Sequence, residues 1–509
     1  MMPNPRARLC SLLVGMAAFA EGPSAIAAPA APAAPAAPAR PAPEPRPIDL
    51  RPLPLVGVKD GIVYLRDPLD ILRLYPQAQV DLDAHGSIGP HVDSVPASEA
   101  GVDLAPRLFV RRARLELAGE AFLRSTFDVG LDLAANPAID GSRVDGNRTV
   151  VALANAWGEL EAGRGLRLMG GVFPAPFSLE NRTATSDLAM MERNIAIRGF
   201  VVPGGPVLGA AIGGSSRREI VTWNAGVFSS ETQSPGDFVP YFDGIGRFTW
   251  RPWTSDDAGT ERLQIGASFR VGSRDQRDAD DDAPAINTGQ GFAMWRPTRV
   301  DAFGRTLHII PSSTQWAAGG EASLLLRGWG FRGELYYVSR NTHEAVDGLQ
   351  AVDVERDGNL HGIGWYFEAS WWPLQWFHII DGPPPELGEY PQPTHLELAK
   401  VAPKPDLEGL EFALLVAGVH AQYDASSRGG VADPTAPPSP IEIVQLGAAL
   451  SFWRTRNVRI TLSGSGYWAP HSGEPGNVAV VPGTLPSSMP PNLSTPLLVE
   501  LGARTTFLF

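Results

Sequence analysis

The sequence predicts an all-β fold, a sixteen-stranded antiparallel transmembrane β-barrel with short periplasmic turns and long, partly in-folded loops. Three observations carry that expectation. Segments of alternating hydrophobicity, about ten residues long, recur from residue 70 to the end of the chain with turn residues between them. Beyond the amino-terminal segment no run of about 18 apolar residues occurs, so a membrane can be crossed only by strands. Finally, Leu498 to Phe509 alternates and stops on an aromatic residue. Val499, Leu501, Ala503, Thr505, Phe507 and Phe509 fall on one side of an extended strand, and Glu500, Gly502, Arg504 and Thr506 on the other, so one face suits lipid and the other water. The closing strand of a soluble sandwich would alternate too, but it rarely leaves a terminal Phe with nothing to cover it.

From the amino terminus, Arg6 and Arg8 precede an apolar run from Leu9 to about Ala20 that is too short to span a bilayer, and residues 1–27 read as a signal peptide. Ala18-Phe19-Ala20 and Ala25-Ile26-Ala27 are alternative cleavage sites. Cys10, the single cysteine, stands at the start of the apolar run, where a lipid anchor is not attached, and its removal leaves no disulfide or thiolate ligand. Residues 28–54 are Pro/Ala-rich and cannot pack a core, so they read as an extended periplasmic linker; contact with the cell wall is the alternative for this arm. Residues 55–69 form an N-terminal periplasmic segment, and residues 70–509 the barrel.

Within the barrel, strands are expected near 70–84, 106–119, 121–134, 149–161, 165–173, 206–214, 219–229, 242–252, 261–272, 315–326, 331–341, 361–373, 408–422, 441–453, 457–469 and 497–509. The alternation is cleanest in four of them. Leu72, Leu74, Ala78, Val80 and Leu82 oppose Arg73, Gln77, Gln79, Asp81 and Asp83; Leu123, Phe127, Val129, Leu131 and Leu133 oppose Arg124, Thr126, Asp128 and Asp132. Leu263, Ile265, Ala267 and Phe269 oppose Gln264, Ser268 and Arg270, and Ile460 and Leu462 oppose Arg459, Thr461 and Ser463. Short connections at Gly119-Glu120, Ala162–Arg164, Arg327–Gly330 and Arg454–Asn457 mark the periplasmic side. Trp250, Trp329, Trp372 and Trp453 then sit at periplasmic strand ends, and Tyr467 and Trp468 at the opposite rim, as interfacial belts require.

The net charge of −13, with charged residues at 19% and no basic stripe, argues against a nucleic-acid partner. Lysine occurs only at Lys59, Lys400 and Lys404, so positive charge is almost entirely arginine. Parity places Arg112, Arg114 and Glu116 on the polar face of their strand and Arg111 on the lipid face near its end. Arg124, Arg262, Arg270, Arg332, Arg459 and Arg504 also fall on lumen positions, alongside Asp81, Asp83, Asp128, Asp132, Glu334 and Glu500, so pairing across the wall competes with any role in binding. The loops Pro174–Gly205 and Ser273–Ser313 are long enough to fold inward and carry Arg182, Arg193, Arg296, Arg299 and Arg305. The acidic run Asp275–Asp282 lacks the spacing of a calcium loop and reads as a solvated tip. No metal-ligand spacing of histidines, nucleophile elbow or nucleotide loop occurs, so the chain is expected to be no enzyme and to need no metal or other cofactor.

Phe109–Gly119 (FVRRARLELAG), Gly171–Glu180 (GVFPAPFSLE) and Met191-Glu192-Arg193 resemble the phosphate-selective porin O and P family, and Gly246–Trp253, Gln264–Phe269, Gly364–Ser370 and Asn457–Ile460 extend the likeness in the same order. The resemblance implies a homotrimeric outer-membrane channel in contact with lipid, with inward loops and an arginine ladder passing small anions, and it matches Arg111 and Arg112 to ladder positions. Together with Arg114, Arg270 and the loop arginines they are the candidate pore residues. Gln77 stands where the family has another ladder arginine, and no lysine lies between Lys59 and Lys400, so the resemblance implies anion passage more than a preference for phosphate. A weakly selective general porin, a plugged structural or adhesive barrel, and a soluble secreted sandwich are the competing readings.

Overall fold

The computed structural model describes residues 54–508 apart from 60–61, 70, 90–105, 123–124, 136–149, 164, 202–205, 217–219, 230–240, 255–260, 276–285, 291–292, 296–298, 301–305, 327, 347–355, 374–408, 429–430, 433–438, 456 and 471–496. The signal segment, nearly all of the Pro/Ala-rich arm, most of the acidic run and Phe509 therefore lie outside the described residues.

A short hairpin, β1 (Val56–Lys59) and β2 (Ile62–Arg66), leads into β3 (Leu72–Ile88), β4 (Arg107–Ala121), β5 (Ser125–Ala135), β6 (Val150–Gly163) and β7 (Leu166–Phe173). After an inward segment come β8 (Val207–Ser215), β9 (Val221–Ser229), β10 (Phe242–Thr254) and β11 (Arg262–Asp275). A second inward segment carries three very short strands, β12 (Ile286–Asn287), β13 (Ala293–Trp295) and β14 (Arg299–Val300). The barrel resumes with β15 (Thr306–Leu326), β16 (Trp329–Val346), β17 (Arg356–Trp371) and β18 (Gly409–Arg428). It ends, after the two-residue β19 (Val431–Ala432), with β20 (Ser439–Thr455), β21 (Val458–Trp468) and β22 (Leu497–Leu508). Every pairing is antiparallel, and β22 pairs with β3, Arg504 opposite Asp83 and Leu508 opposite Gln79, which closes the sheet on itself. With β1, β2, β14 and β19 as short additions, the closed wall has sixteen strands at the positions expected from the sequence. Closure satisfies the ladder without leaving an edge to lipid.

β3 extends beyond the end of β22, and β2 covers that edge, pairing Leu65 with Leu74 and Arg66 with Arg73, while Tyr64 and Tyr75 pack together beside Ala118. The periodicity of two sorts the wall as the sequence implies. Leu115, Leu117, Val129, Leu131 and Leu133 are exposed outward, whereas Asp81, Asp83, Asp128 and Asp132 are buried on the inner face. At the turn end, Trp329, Phe331, Phe367, Trp371 and Phe412 form an outward aromatic patch, with Trp371 5.6 Å from both Trp329 and Phe412 between ring centroids.

Two expectations for the belts are corrected. Trp372 and Trp453 are buried on the inner parity, 6.0 Å apart, and Trp453 donates to Glu411 and lies under Arg459, so Trp371 rather than Trp372 faces lipid. At the other rim Trp468 is exposed, but Tyr467 points inward, since neighbouring strand residues take opposite faces. The first short turn also falls later than Gly119-Glu120: Glu120 stays in the ladder opposite Thr126, and the chain turns after Ala121, with Phe122 at φ 55°. The two-residue turn before Trp329 uses Gly328 at φ 77°, where a β-carbon would be strained. On the turn side one connection is long, residues 372–408 between β17 and β18.

The apolar core lies inside the barrel. Residues between Phe173 and Val201 fold inward and bury Phe177, Met190, Ile195, Ile197 and Phe200 against inward side chains of the wall. The wall is apolar where they dock, through Tyr336, Val338, Leu360, Leu415, Val419 and Ile443. The second inward segment joins the same core through Ile286, Met294 and Trp295.

Candidate functional site: an arginine nest in the lumen

The site begins with an irregularity in β4. Asp81 pairs with Arg112 and Leu82 with Val110, which leaves Arg111 as the extra residue of a β-bulge. The bulge shifts the strand's parity by one, so Phe109, Arg111, Arg112 and Arg114 lie on the inner side while Val110 and Leu115 face outward. Arg111 is therefore not a lipid-facing residue, contrary to the parity expectation: its side chain is 1% exposed. Strict alternation fails here because a bulge is set by pairing with the neighbouring strand.

The first inward segment meets this bulge. After β7 it forms a single helical turn, α1 (Leu179–Arg182), capped by Ser178, whose hydroxyl accepts from Asn181 N at 3.1 Å. The start of α1 is fixed to the wall by Glu334, which accepts from Ser178 Oγ (3.1 Å), Leu179 N (3.0 Å) and Glu180 N (2.8 Å), and also from the hydroxyls of Tyr336 and Tyr366 (2.5 and 2.7 Å). Glu180 accepts from the backbone N–H and the side-chain amide of Asn194, folding the segment back on itself. Burial first, then Glu368 and Glu334, push the Glu180 carboxyl up to about 7 against the opposing pull of Arg332. A π-helical turn, Ile195–Val201, follows and presents Arg198 to the lumen.

Between α1 and the π turn, Glu192 sits among four guanidinium groups. Its Oε1 accepts from Arg111 Nε at 3.2 Å and Arg504 Nη2 at 2.7 Å; its Oε2 lies 3.0 Å from Arg198 Nη1 and 3.8 Å from Arg112 Nη2. Arg112 also reaches Asp81 at 3.2 Å, and Arg504 makes a fork with both oxygens of Asp83 at 2.7 Å while donating to the Met191 carbonyl at 2.5 Å. Burial opposes the charge of Glu192, but the surrounding arginines hold its carboxyl well below the usual range. The second inward segment closes over the same place: Arg198 donates to the Gly289 carbonyl at 3.1 Å, Gly289 N donates to Tyr467, and Thr288 donates to Glu500 at 2.5 Å.

The other sequence candidates divide. Arg114 pairs with Asp132 at 3.1 Å and stays partly exposed in the lumen. Arg270 binds Asp243 at 2.6 Å, together with Arg274. Arg182 donates to the Pro174 carbonyl, and Arg193 to the carbonyls of Glu180, Asn181 and Thr183, so both brace the inward segment. Arg299 lies in β14 opposite Leu307, while Arg296 and Arg305, like Arg124, lie outside the described residues. Arg332 pairs with Glu368, and Arg459 donates to the Leu188 carbonyl. Gln77 is exposed on the inner parity of β3. Sequence reasoning missed Arg198 and gave Glu192 no role of its own. No periodic signal marks either, because both lie in irregular backbone whose path depends on docking.

Residues 94–283 match the family model described as phosphate-selective porin O and P. This is the porin family that the motifs resemble. The match supports an outer-membrane channel. No curated relative matches the sequence. Among solved structures, the chain is similar to the anion-selective porin from Comamonas acidovorans, with 12% identity, 86% of this chain and 100% of that chain covered, and a TM-score of 0.42. It is also similar to the outer membrane channel DcaP of Acinetobacter baumannii (12% identity, 87% and 99% covered, TM-score 0.45). A third is the outer membrane protein OmpT of Vibrio cholerae in a trimer form (8% identity, 86% and 100% covered, TM-score 0.44).

Proposed function

We propose that the protein is a homotrimeric porin for passive diffusion of small anionic solutes, phosphate and related oxyanions among them. The observation that carries this reading is the convergence of Arg111, Arg112, Arg198 and Arg504 where the two inward segments narrow the lumen. Guanidinium groups stay charged and offer several donors, so they replace part of an oxyanion's hydration as it passes. Arg114, partly exposed, and Arg270, buried in the wall, extend the path, each moderated by a carboxylate. A pore needs enough attraction for entry and little enough for release, which a mixed wall supplies. On this reading residues 1–27 direct export, residues 28–54 are a periplasmic spacer, and lipid contacts the outward apolar band.

A weakly selective general porin is the second reading, favoured by the pairing of Arg112, Arg114, Arg270 and Arg332 with wall carboxylates. Planar-bilayer recording in a salt gradient separates the two. Anion-favouring reversal potential and current reduced by added phosphate support the first; a reversal potential near zero supports the second, and cation preference removes the anion claim. Native mass spectrometry of detergent-purified protein tests the trimer.

A further inference from the structure

Glu192 differs from every other carboxylate of the nest in where it comes from. Asp81 and Asp83 are fixed in β3 and held by the ladder, whereas Glu192 is carried in from the inward segment. Each of its oxygens lies between two guanidinium groups: Oε1 between Arg111 and Arg504, Oε2 between Arg198 and Arg112. That is how the edge of a solute carboxylate or phosphate would be held. Exposure is graded in the same direction: the side chains of Arg111 and Arg504 are 1% exposed, Glu192 is 9% and Arg198 14%. What exposure the nest has is therefore on the side of Glu192 and Arg198, beneath the second inward segment at Gly289.

We propose that Glu192 is a tethered competitor in an oxyanion-binding nest formed by Arg111, Arg112, Arg198 and Arg504, and that a solute phosphate or carboxylate binds there only by displacing it. This rests on the anion-channel reading above and names the residue that sets its selectivity. A tethered carboxylate acts at a high, fixed effective concentration, so it weakens the apparent affinity for a free anion without removing the arginines that attract it. Release is then fast, as conduction requires. With Glu192 neutral, two carboxylates, Asp81 and Asp83, remain against four guanidinium groups, and the nest becomes a stronger anion site.

The test is calorimetric titration of the detergent-purified protein, wild type and Glu192→Gln, with inorganic phosphate and separately with succinate, heat-modified gel migration serving as the check on folding. Glu192→Gln is expected to bind at least one of the two anions about tenfold or more tightly than wild type, and Glu192→Gln with Arg112→Gln is expected to lose that gain. The arm that responds more strongly identifies phosphate or carboxylate as the better ligand. Equal or weaker binding by folded Glu192→Gln in both arms overturns the proposal. If Glu192→Gln does not fold, Glu192→Asp replaces it: the shortened carboxylate is expected to give a smaller gain, and no gain overturns the proposal. Reversal potentials of the wild type keep the two ideas apart. An anion-selective wild type with no gain in Glu192→Gln overturns the tethered competitor alone, while a cation-selective wild type overturns the anion-channel reading, and a tenfold gain would still support the nest.

Discussion

Ile197 supplies the sharpest test of how the inward segment is held. Its side chain is fully buried, and its backbone N–H bonds to Asn194 Oδ1 at 3.0 Å within the segment itself, so Ile197→Ala removes packing while leaving that hydrogen bond in place. Deleting such a buried aliphatic side chain costs about 2–5 kcal/mol. The sixteen-stranded ladder does not depend on the segment for its hydrogen bonds, so the cost falls on docking rather than on the barrel. At about 1.4 kcal/mol per tenfold, local opening should become roughly 30- to 4,000-fold more frequent. Hydrogen-exchange mass spectrometry reads this directly: peptides covering residues 185–201 should exchange faster by that factor, while peptides from β15, β16 and β17 keep wild-type protection. Unchanged exchange in the segment would show that Ile197 does not hold it. An equal loss of protection in the strands would show that segment and barrel open as one unit, and either result refutes the reasoning.

The segment's anchor should depend on pH. The Glu180 carboxyl is raised from 4.5 to about 7 in the folded state, so its contribution is fully present below about pH 4.5 and is lost as pH rises through 7; protection factors of residues 178–195, taken relative to intrinsic exchange at each pH, should be higher at pH 5 than at pH 8, and Glu180→Gln should flatten that difference. Arg504→Gln leaves Asp83 buried without its guanidinium fork and should destabilise the barrel by about 3–5 kcal/mol, read as a lower midpoint in a urea-unfolding series; an unchanged midpoint would show that the fork contributes nothing. Brominated lipids should quench the fluorescence of outward Trp250, Trp253, Trp329, Trp371 and Trp468, and Trp453→Phe should leave the quenched amplitude unchanged because Trp453 faces the interior. A fall in that amplitude would place Trp453 against lipid. Gly364 lies where a β-carbon would come within 3.0 Å of Val201 and 3.1 Å of Phe200, so Gly364→Val should push the π turn off the wall and raise single-channel conductance; conductance at the wild-type level would refute this.

The barrel was legible because its physics is local. In β5, Val129, Leu131 and Leu133 face outward while Asp128 and Asp132 face inward, and a period of two is all that such a wall requires. The site was legible only in part. Arg112 and Arg114 followed from parity, but Arg111 did not, since the bulge that turns it inward is visible only in the register of β4 against β3. One signal was available and unused: Phe412 to Val419 is apolar on both faces of its strand, which in a polar lumen means that something apolar packs inside. That run marks the docking place of Ile195 and Phe200. Trp372 and Trp453 were misassigned for a related reason, because position at a strand end does not say which face a ring takes.

By itself the sequence determined that the wall is a closed sheet, that it is apolar outside and mixed in charge inside, and that its arginines are few enough to name. Alternation and turn residues act over a few neighbours, so no distant contact was needed. Only the tertiary structure decided which arginines meet. Arg111 and Arg112 in β4, Arg198 in the π turn and Arg504 in β22 are brought to one carboxylate by closure of the barrel, a bulge and an apolar docking surface. None of these three is written in the spacing of the residues they bring together.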